Sequence, residues 1–488
     1  MSVHTRIVIV GSGFGGLGTA IRLKQEGTED FVVLERAEDV GGTWRDNSYP
    51  GCACDVQSHL YSFSFAPNPG WTRSYSPQPE IWAYLQRCAR EFGVLPHIRF
   101  GCEVREAAWD EQAGLWRIET SQGTHTASVL VMASGALSEP ALPELRGLDQ
   151  FEGRVFHSAR WDHSFDLTNR RVAVIGTGAS AIQFVPEIQP KVERLHIFQR
   201  TPPWIMPRHD RALGEGKRRL FRRFPVAQRA VRAGLYWLRE SLVFAFRYVW
   251  VSKVVQRIAL RHLEKSVRDP LLRAKLTPRY AIGCKRVLVS NDYLPSLTQP
   301  NVELITDGVA EVRARSIVGN DGVERPVDAI IFGTGFRATD QPMAKHVRGR
   351  GRQTLASVWA GSPQAHLGTT VSGFPNLFIL MGPNTGLGHN SVLIMLEAQI
   401  EHLITALDYM RRRNASTIEP RADAQAAYVD EVQKRMEGTV WTAGGCASWY
   451  LDRTGRNSTL WPDSSWRFRR RLARLNPAEY VLESGDAH

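Results

Sequence analysis

The chain has 488 residues, of which 43% are hydrophobic and 23% are charged, and its formal net charge is +12. This length allows two or three domains with sizeable cores, and the composition is that of a globular protein rather than a disordered one. No signal peptide is evident, because the apolar run at residues 7–10 is short and leads directly into glycines. The six cysteines show no C-x-x-C and no metal-ligand spacing. They indicate a reducing cytoplasm and no metal site, while a redox pair of Cys52 and Cys54 stays open.

The first motif lies near the start of the chain, in RIVIVGSGFGGLGTAIRL. An apolar strand runs into Gly11, Gly13 and Gly16, and a helical pattern follows, which is typical of a dinucleotide-binding fold. Gly11 would allow a tight turn, Gly13 would let a pyrophosphate approach the backbone, and Gly16 would let helix and strand pack closely. The next strand ends in Glu35, 24 residues after Gly11, where a carboxylate can accept hydrogen bonds from a ribose. We therefore expect FAD or NAD, rather than NADP, at this first site.

A connector, FEGRVFHSARWD, separates this segment from a second motif, RRVAVIGTGASAIQFVPEI. In the second motif a strand leads to Gly176 and Gly178, with Ala181 in the third small position. The following strand ends in Arg200 and Thr201 where the first site has an acid, and Arg200 could pair with a 2′-phosphate. The second motif therefore predicts an NADPH site, with a plain surface arginine as the alternative interpretation.

The positive charge is concentrated in residues 205–275, which contain 18 lysines and arginines and 5 acidic residues. The segment has a helical pattern, and Arg239, Glu240, Arg247 and Lys253 interrupt its apolar runs well short of the ~20 residues of a membrane span. We predict an inserted helical subdomain with a solvated basic face. Peripheral contact with anionic lipid is a second interpretation. Nucleic acid is disfavoured, because no recognition motif accompanies the charge.

Two later segments suggest that the chain returns to its first domain. These are RPVDAIIFGTGF, which contains Asp328 and Gly333, and FPNLFILMGPNTGLGHNS, and each has a strand entering a glycine-rich turn. We therefore predict an α/β fold with two Rossmann-like dinucleotide-binding domains. The FAD domain would comprise residues 1–150 and 320–488. The NADPH domain at residues 151–319 would split it and would carry the basic helical insertion.

The connector resembles the fingerprint of the type I Baeyer–Villiger monooxygenases, which use FAD and NADPH and belong to the flavin-containing monooxygenase superfamily. The positions of this fingerprint are filled by Phe151, Gly153, His157, Trp161 and Asp162. The resemblance extends from about residue 5 to about residue 470. It implies an enzyme that converts ketones to esters or lactones with O₂ and NADPH through a C4a-peroxyflavin. N- or S-oxygenation is the alternative, although those relatives carry Tyr where this chain has Trp161.

The resemblance also implies roles for individual residues. In GCKRVLVSNDYLPS the catalytic arginine falls on Arg286, whose guanidinium Asp55 would hold, while a capping role for Asp55 stays open. Lys285 would be a second contact to the 2′-phosphate. The residues expected at the two cofactors are Gly11, Gly13, Phe14, Gly16, Glu35, Thr43, Trp44, Asp55, Tyr61, Val104, Gly176, Thr177, Gly178, Ala179, Ser180, Ala181, Gln183, Arg200, Thr201, Lys285 and Arg286.

The connector would join two domains that shift so that one nicotinamide can first reduce the flavin and then stay bound. Gly153 would permit a tight backbone, and Trp161 would anchor the connector in a packed groove. For His157 a structural bond to neighbouring backbone is favoured over proton transfer, which stays open. The stretch GTVWTAGGCASWYLDRTGRNSTLWP is expected to form a mobile lid, and its candidate pocket residues are Trp441, Trp449 and Asn457. No pattern indicates which ketone is used or the oligomeric state.

Overall fold

The computed structural model describes residues 3–247, 249–340 and 342–484. In chain order the strands of these residues are β1 (Val3–Val10), β2 (Phe31–Leu34), β3 (Ile98–Arg99), β4 (Val104–Asp110), β5 (Leu115–Thr120), β6 (Gly123–Met132), β7 (Arg154–His157), β8 (Arg171–Ile175), β9 (Arg194–Phe198), β10 (Ile205–Met206), β11 (Leu288–Val289), β12 (Val302–Ile305), β13 (Val309–Arg313), β14 (Ser316–Gly319), β15 (Glu324–Pro326), β16 (Ala329–Phe332), β17 (Val347–Arg348), β18 (Leu377–Ile379), β19 (Ala415–Pro420) and β20 (Tyr480–Ser484).

The helices of the same residues are α1 (Phe14–Gln25), α2 (Thr43–Asp46), α3 (Gln78–Glu91), α4 (Ala181–Ile188), α5 (Glu215–Arg223), α6 (Pro225–Glu240), α7 (Val243–Arg247), α8 (Val249–Ser266), α9 (Pro270–Leu276), α10 (Tyr293–Ser296), α11 (Leu355–Trp359), α12 (Val392–Arg413), α13 (Ala422–Met436), α14 (Val440–Ala443) and α15 (Ser465–Leu472).

The first sheet has the strand order β17-β4-β5-β6-β1-β2-β3, and β18 also pairs with β6. Its central strand β1 is parallel to both neighbours, β2 and β6. The unbroken apolar run in β1 follows from burial on both faces: Ile7 and Ile9 belong to one core cluster, and Val8 and Val10 belong to another. Helices α1, α3 and α12 supply the side chains that cover the first of these faces.

The second sheet is parallel throughout, with the order β12-β9-β8-β16-β7. Strand β16 therefore lies in the second domain, whereas the predicted boundary at residue 320 put this segment in the first. An apolar strand such as AIIF would be buried equally well in either sheet, so its sequence alone does not select the partner. The chain returns to the first sheet later, through β17 and β18. The α/β class and the two Rossmann-like sheets are confirmed.

The helical insertion consists of α5 to α9, which span Glu215–Leu276. It packs against the first domain through its few buried polar side chains, Gln228 and Glu240 among them. Gln228 Nε2 donates to the carbonyl oxygen of Asn68 at 2.7 Å, and Arg232 donates to the carbonyl oxygen of His59 at 2.7 Å. None of the described helices is long and apolar enough to cross a membrane.

Candidate active site

The turn after β1 has the shape of a phosphate cradle. Gly11 has a φ of +99°, and a Cβ there would lie 2.8 Å from the carbonyl oxygen of Ala133, so only glycine fits. A Cβ on Gly16 would overlap the carbonyl oxygen of Gly11. A Cβ on Gly13, by contrast, would meet nothing closer than Gly42 Cα at 3.7 Å. The backbone is thus open above Gly13, where α1 begins without a side-chain cap. This opening fits a pyrophosphate group at a helix N-terminus.

Glu35 lies at the end of β2 beside this turn, and it is 4% exposed. Its carboxylate accepts hydrogen bonds from Ser12 N at 2.9 Å, from Ser12 Oγ at 2.7 Å and from Ala37 N at 2.9 Å. Arg45 lies 3.2 Å from the same carboxylate. These contacts fix a negative charge at the edge of the first cradle, which is the position expected for a ribose acceptor.

The second cradle repeats this geometry in the other sheet. Gly176 has a φ of +102°, and a Cβ there would lie 2.5 Å from the carbonyl oxygen of Gly333. A Cβ on Gly178 would meet only that same oxygen, at 3.6 Å. Ala181 is fully buried at the start of α4. The predicted residues Thr177, Ala179 and Ser180 complete the turn between β8 and α4.

Two cations lie beside the second cradle. Arg200 is exposed just after β9, and Thr201 follows it half-buried. Burial and the nearby positive charge of Arg200 lower the pKa of Lys285, whose Nζ lies 5.3 Å above the ring of Tyr280. Among the described residues no carboxylate forms an ion pair with Arg200 or Lys285. Two neighbouring positive charges without an acidic partner among the described residues fit an anionic ligand.

The strongest contact between the two halves of the site joins Arg286 to Asp55, 231 residues apart. Arg286 Nε donates to Asp55 Oδ2 at 2.9 Å, and Nη2 donates to Oδ1 at 2.8 Å and to Oδ2 at 2.6 Å. Both side chains remain partly exposed, at 38% and 25%. Burial opposes ionisation of Asp55, but the charge of Arg286 outweighs it and lowers the pKa of that carboxyl. The charge of Asp55 in turn raises the pKa of Arg286, so the guanidinium stays charged.

Residues 43–61, which contain the predicted cofactor residues Thr43, Trp44, Asp55 and Tyr61, supply aromatic contacts near this pair. Trp44 Nε1 donates to Tyr61 Oη at 3.0 Å, and Thr43 begins the short helix α2 that carries Trp44. The ring of Phe14 is buried and contacts Tyr61 edge-on at 5.3 Å, so this side chain belongs to the core. Val104 is likewise buried, in strand β4.

Gln183, a predicted cofactor residue, makes hydrogen bonds to the first domain. Its Oε1 accepts hydrogen bonds from Tyr49 Oη at 2.9 Å and from Ala53 N at 3.3 Å. Its Nε2 donates to the carbonyl oxygen of Ala53 at 2.9 Å. The side chain therefore links the second domain to residues 49–53 of the first.

The fingerprint stretch is more than a connector, because Arg154–His157 forms β7, the edge strand of the second sheet. A Cβ on Gly153 would lie 2.5 Å from both the carbonyl oxygen of Asp328 and the Phe151 ring. Glycine is thus required for close packing here rather than for a turn. Trp161 packs edge-on against Phe156 at 5.1 Å.

The other two fingerprint residues make local contacts. His157 is buried, and its Nδ1 accepts a hydrogen bond from Ala159 N at 3.1 Å. Burial lowers the pKa of His157 to about 4, so the ring is neutral. Asp162 accepts hydrogen bonds from Ser164 Oγ at 2.5 Å and from Arg154 Nε at 2.6 Å. These contacts support the structural interpretation of His157.

The C-terminal stretch contributes a residue that the sequence did not single out. Tyr450 is buried and lies close enough to Arg286 and Asp55 for both charges to affect its hydroxyl. Of the candidates, Trp441 is buried and stacks on Phe246 at 5.5 Å, and Asn457 is buried in a backbone turn, while Trp449 is 46% exposed. No local motif marks Tyr450, because its neighbours lie far away in the chain.

The sequence also failed to indicate a disulfide. Cys284 and Cys446 are joined, although the spacing of the cysteines favoured free thiols. Cys52, Cys54, Cys88 and Cys102 are free and buried, and Cys52 and Cys54 are not joined to each other. A pairing across 162 residues depends on the tertiary fold and cannot be deduced from cysteine spacing.

Comparison with known proteins agrees with this geometry. The profile of the flavin-binding monooxygenase-like family matches residues 4–347, and the chain belongs to this family. It is 53% identical over 485 residues to a Baeyer–Villiger monooxygenase of Streptomyces coelicolor, covering 98% of this chain and 93% of the relative.

Two solved structures extend the similarity to the whole fold. The structure of cyclohexanone monooxygenase from Rhodococcus sp. Phi1 bound to NADP⁺ matches with a TM-score of 0.88 and 27% identity, covering 99% of this chain and 100% of that one. The OTEMO complex with FAD and NADP matches with a TM-score of 0.89, 27% identity and the same coverage. The family predicted from the fingerprint is confirmed.

Proposed function

We infer that this chain is an FAD- and NADPH-dependent Baeyer–Villiger monooxygenase, which converts ketones to esters or lactones with O₂. The relatives and structural neighbours named above support this class. The single observation that carries it is the ion pair of Arg286 with Asp55 beside two phosphate cradles. A fixed cation at that place can stabilise negative charge that develops on a reacting oxygen.

The residues that would hold the two cofactors follow from the two cradles. Gly11, Gly13 and Glu35 would bind the dinucleotide of FAD, and Thr43, Trp44 and Tyr61 would border its ring. Gly176 and Gly178 would bind the pyrophosphate of NADPH, and its 2′-phosphate would lie at Arg200, Thr201 and Lys285. When bound, FAD supplies the activation of O₂ and NADPH supplies the hydride.

The protein's own contribution at the reacting centre would come from three side chains. Arg286 keeps its charge at working pH and presents a planar set of donors. Asp55 fixes the direction of that guanidinium through a bidentate contact, and it lowers the freedom of a long side chain. Tyr450 is buried close to the pair, and the charges of both partners act on its hydroxyl.

The products of three substrate types test this proposal. We expect the purified enzyme to convert simple linear, cyclic or aromatic ketones to esters or lactones, with about one product per NADPH oxidised when coupling is tight. Oxidation of a thioether and an amine, with no conversion of any ketone, would instead assign the chain to the N- or S-oxygenating branch. The same screen identifies the preferred ketone class.

We also propose that the helical insertion makes peripheral contact with anionic membrane surfaces. Many of its large apolar side chains are exposed, and on α6 the exposed face carries Val226, Ala230, Ala233 and Trp237 at helical spacing. Val226 is 73% exposed and Trp237 is 60% exposed. Other exposed apolar residues of the insertion are Phe224, Leu238, Phe244, Val254, Ile258 and Leu271. Apolar side chains on a solvent face are typical of an interaction surface.

Positive charge accompanies these apolar residues, which favours a lipid partner of negative charge. Exposed cations of the same helices are Lys217, Arg219, Arg222, Arg223, Arg229, Lys253, Arg257, Arg261 and Lys265. Exposed basic and apolar residues on the same helices match the interface of an anionic bilayer.

Vesicle sedimentation tests this contact directly. We expect the enzyme to sediment with vesicles of phosphatidylcholine and phosphatidylglycerol but not with phosphatidylcholine alone. Arg223→Gln should weaken binding about fivefold, since each basic residue near the surface contributes ~1 kcal/mol. Trp237→Ser should also weaken it, and Trp466→Ser, at an exposed tryptophan outside the insertion, should not. A dimer in solution that Trp237→Ser dissociates would assign the surface to a second copy instead. A cytoplasmic location, where NADPH is supplied, is part of this proposal.

A further inference from the structure

The disulfide between Cys284 and Cys446 connects the catalytic arginine to the C-terminal segment. Cys284 directly precedes Lys285 and Arg286 in the chain. Cys446 lies in residues 437–462, which we call the cover segment. The Cα atoms of the two cysteines are 6.2 Å apart, within the range that a disulfide requires.

The backbones on either side of the bond approach each other closely. Ala281 N donates to the carbonyl oxygen of Gly444 at 3.0 Å. A Cβ on Gly444 would lie 2.7 Å from Cys284 Cβ, and a Cβ on Gly283 would lie 3.3 Å from Val440 Cγ1. The cover segment thus packs directly against the loop that carries Arg286, and the disulfide joins the two at this contact.

The cover segment also reaches the candidate active site. Tyr450 follows Cys446 by four residues and is 2% exposed. Burial raises the pKa of Tyr450 to about 12, and the charges of Arg286 and Asp55 both act on its hydroxyl. Cys284, Tyr450 and Trp441 belong to a single core cluster. Opening of the cover segment would therefore move Tyr450 away from the Arg286–Asp55 pair and widen the approach to that pair.

Three of the four free cysteines are poorly suited to reversible oxidation. Burial raises the pKa of Cys52 to about 12 and the pKa of Cys88 to about 11, and it also raises the pKa of Cys54. These thiols stay protonated, and the thiolate is the reactive form. Cys446, by contrast, is half-exposed, so an oxidant or a reductant can reach it. In a cytoplasmic protein a disulfide is most often transient and redox-sensing.

We propose that Cys284 and Cys446 form a redox site that controls access of the ketone to the active site. This proposal rests on the proposed function for its substrate, but not for its chemistry. Hydrogen peroxide, which a flavin monooxygenase releases when oxygen is not transferred, is the oxidant. One S–S bond forms and one O–O bond breaks; the two thiols lose two electrons and two protons, and two water molecules result. A dithiol reductant returns the disulfide to two thiols and is itself oxidised.

The consequence of oxidation is a cover segment that is held closed. Uncoupled turnover would then limit itself, because the peroxide that it produces restricts how far the segment opens for further bulky substrate. In the reduced enzyme the backbone bond of Ala281 and the core contacts still favour closure, but the segment can open locally. Bulky ketones should be most sensitive, since they need the widest opening.

Thiol counting and proteolysis of the FAD-loaded enzyme test the site without reference to activity. After hydrogen peroxide treatment and removal of the oxidant, the denatured enzyme should show four free thiols, and after dithiothreitol it should show six. Trypsin should cleave the reduced enzyme at Arg456, whose side chain is 20% exposed, about tenfold faster or more, because local opening exposes this residue. Six thiols after peroxide, or equal cleavage rates, would overturn the proposal.

Cysteine variants distinguish the effect of this disulfide from other effects that peroxide or dithiothreitol has on the protein. Cys446→Ser and Cys446→Ala should be cleaved at the fast rate in both conditions, while Cys102→Ser should keep the redox response. For a bulky ketone, kcat/KM of the reduced enzyme should exceed that of the oxidised enzyme, with equal FAD content. If no ketone is converted at all, the proposed function fails, whereas the thiol count and the cleavage rates still decide the redox site.

Discussion

The carboxylate of Glu240, on the last turn of α6, accepts two hydrogen bonds from Ser465, which lies 225 residues later. Ser465 N donates at 2.6 Å and Ser465 Oγ donates at 2.7 Å. Asn390 Nδ2 donates to the same group at 2.8 Å, and His389 Nε2 lies 3.5 Å away. Glu240 is 5% exposed. A buried carboxylate thus connects the helical insertion to two separate parts of the first domain.

Glu240→Gln should destabilise the protein, because an amide replaces a carboxylate that several donors surround. Burial opposes ionisation, but the nearby ring of His389 and the hydrogen bonds from Ser465 and Asn390 outweigh it and lower the pKa of Glu240 to about 2. Loss of a charged hydrogen-bond acceptor costs about 1.5 to 3 kcal/mol. Thermal unfolding should show a lower Tm for Glu240→Gln than for Glu264→Gln, which removes an exposed carboxylate of the same insertion.

The destabilisation by Glu240→Gln should depend on pH, in a direction that follows from the lowered pKa of Glu240. A carboxyl with a depressed pKa stabilises the fold fully above its unfolded value of 4.5, and this contribution is lost as pH falls toward 2. The difference in Tm between the parent and Glu240→Gln should therefore be constant from pH 8 to about 6 and should narrow below about pH 5. A difference that widens on acidification would contradict the ionised state of Glu240.

Substitution of one glycine in each cradle should show which cofactor each cradle binds. The purified protein should be yellow, with one releasable FAD per chain. Gly13→Ala should fold but bind FAD poorly, because a Cβ there meets no protein atom closer than 3.7 Å and points into the opening. Gly178→Ala should keep FAD and lose affinity for NADPH, since its Cβ is equally free of protein contacts. Flavin absorbance measures the bound FAD, and titration with NADPH measures the affinity for that cofactor. Loss of FAD from Gly178→Ala would contradict the assignment of the second cradle to NADPH.

Arg200→Ala and Lys285→Ala should weaken binding of NADPH but not of NADH. Each removes one charge-assisted contact to the 2′-phosphate, which costs about 1.5 to 3 kcal/mol, or roughly ten- to 150-fold. Lys191→Ala, at an exposed lysine of the same domain, should leave both cofactors unaffected. Steady-state kinetics with the two nicotinamides give the ratio of kcat/KM directly. Equal use of NADH and NADPH by the parent enzyme would refute the phosphate site.

Gly153→Ala should destabilise the fold, because this glycine of the fingerprint is closely packed. The added Cβ would lie 2.5 Å from the carbonyl oxygen of Asp328 and from the Phe151 ring, so β7 must move away from β16. Overpacking of this kind costs about 1 to 3 kcal/mol. Gly214→Ala serves as the control, because its Cβ would meet no atom within 4 Å. A Tm equal to that of the control would show that the edge strand tolerates displacement.

The elements that could be predicted from the sequence are those whose chemistry is local. The cradles were predictable because strand, glycines and helix follow one another within about twenty residues. The catalytic pair came from a resemblance, since nothing in the local sequence connects Arg286 with Asp55. The tertiary contacts of Gln183, Tyr450 and Cys446 join residues 130 or more positions apart, and no periodicity encodes them.

The domain boundary was missed for a related reason. Strand β16 is apolar throughout and is followed by glycines, as expected for either domain. Its place is decided by parallel pairing with β8 and β7, which depends on partners far away in the chain. Local patterns indicate that a strand exists, whereas the sheet to which it belongs is a property of the whole fold.

Substitution of Arg286 should impair the transfer of oxygen more than the reduction of the flavin. If its charge stabilises the reacting oxygen, Arg286→Ala should still bind FAD and oxidise NADPH, though more slowly. Loss of one preorganised charge usually lowers the rate ~10² to 10³-fold. Arg286→Lys should recover part of the activity, because a point charge lacks the planar set of donors. Asp55→Ala should show the same defect in milder form, since it only positions the guanidinium.

The most direct test of the central claim is the yield of ester or lactone per NADPH oxidised by Arg286→Ala. Stopped-flow reduction of the flavin is measured on the same preparation, with Arg279→Ala as an exposed control from the same loop. We expect the flavin of Arg286→Ala to be reduced while ester formation falls ~10²-fold or more, with the reducing equivalents recovered as hydrogen peroxide. A full yield of ester from Arg286→Ala would contradict the assignment of Arg286 as the catalytic residue.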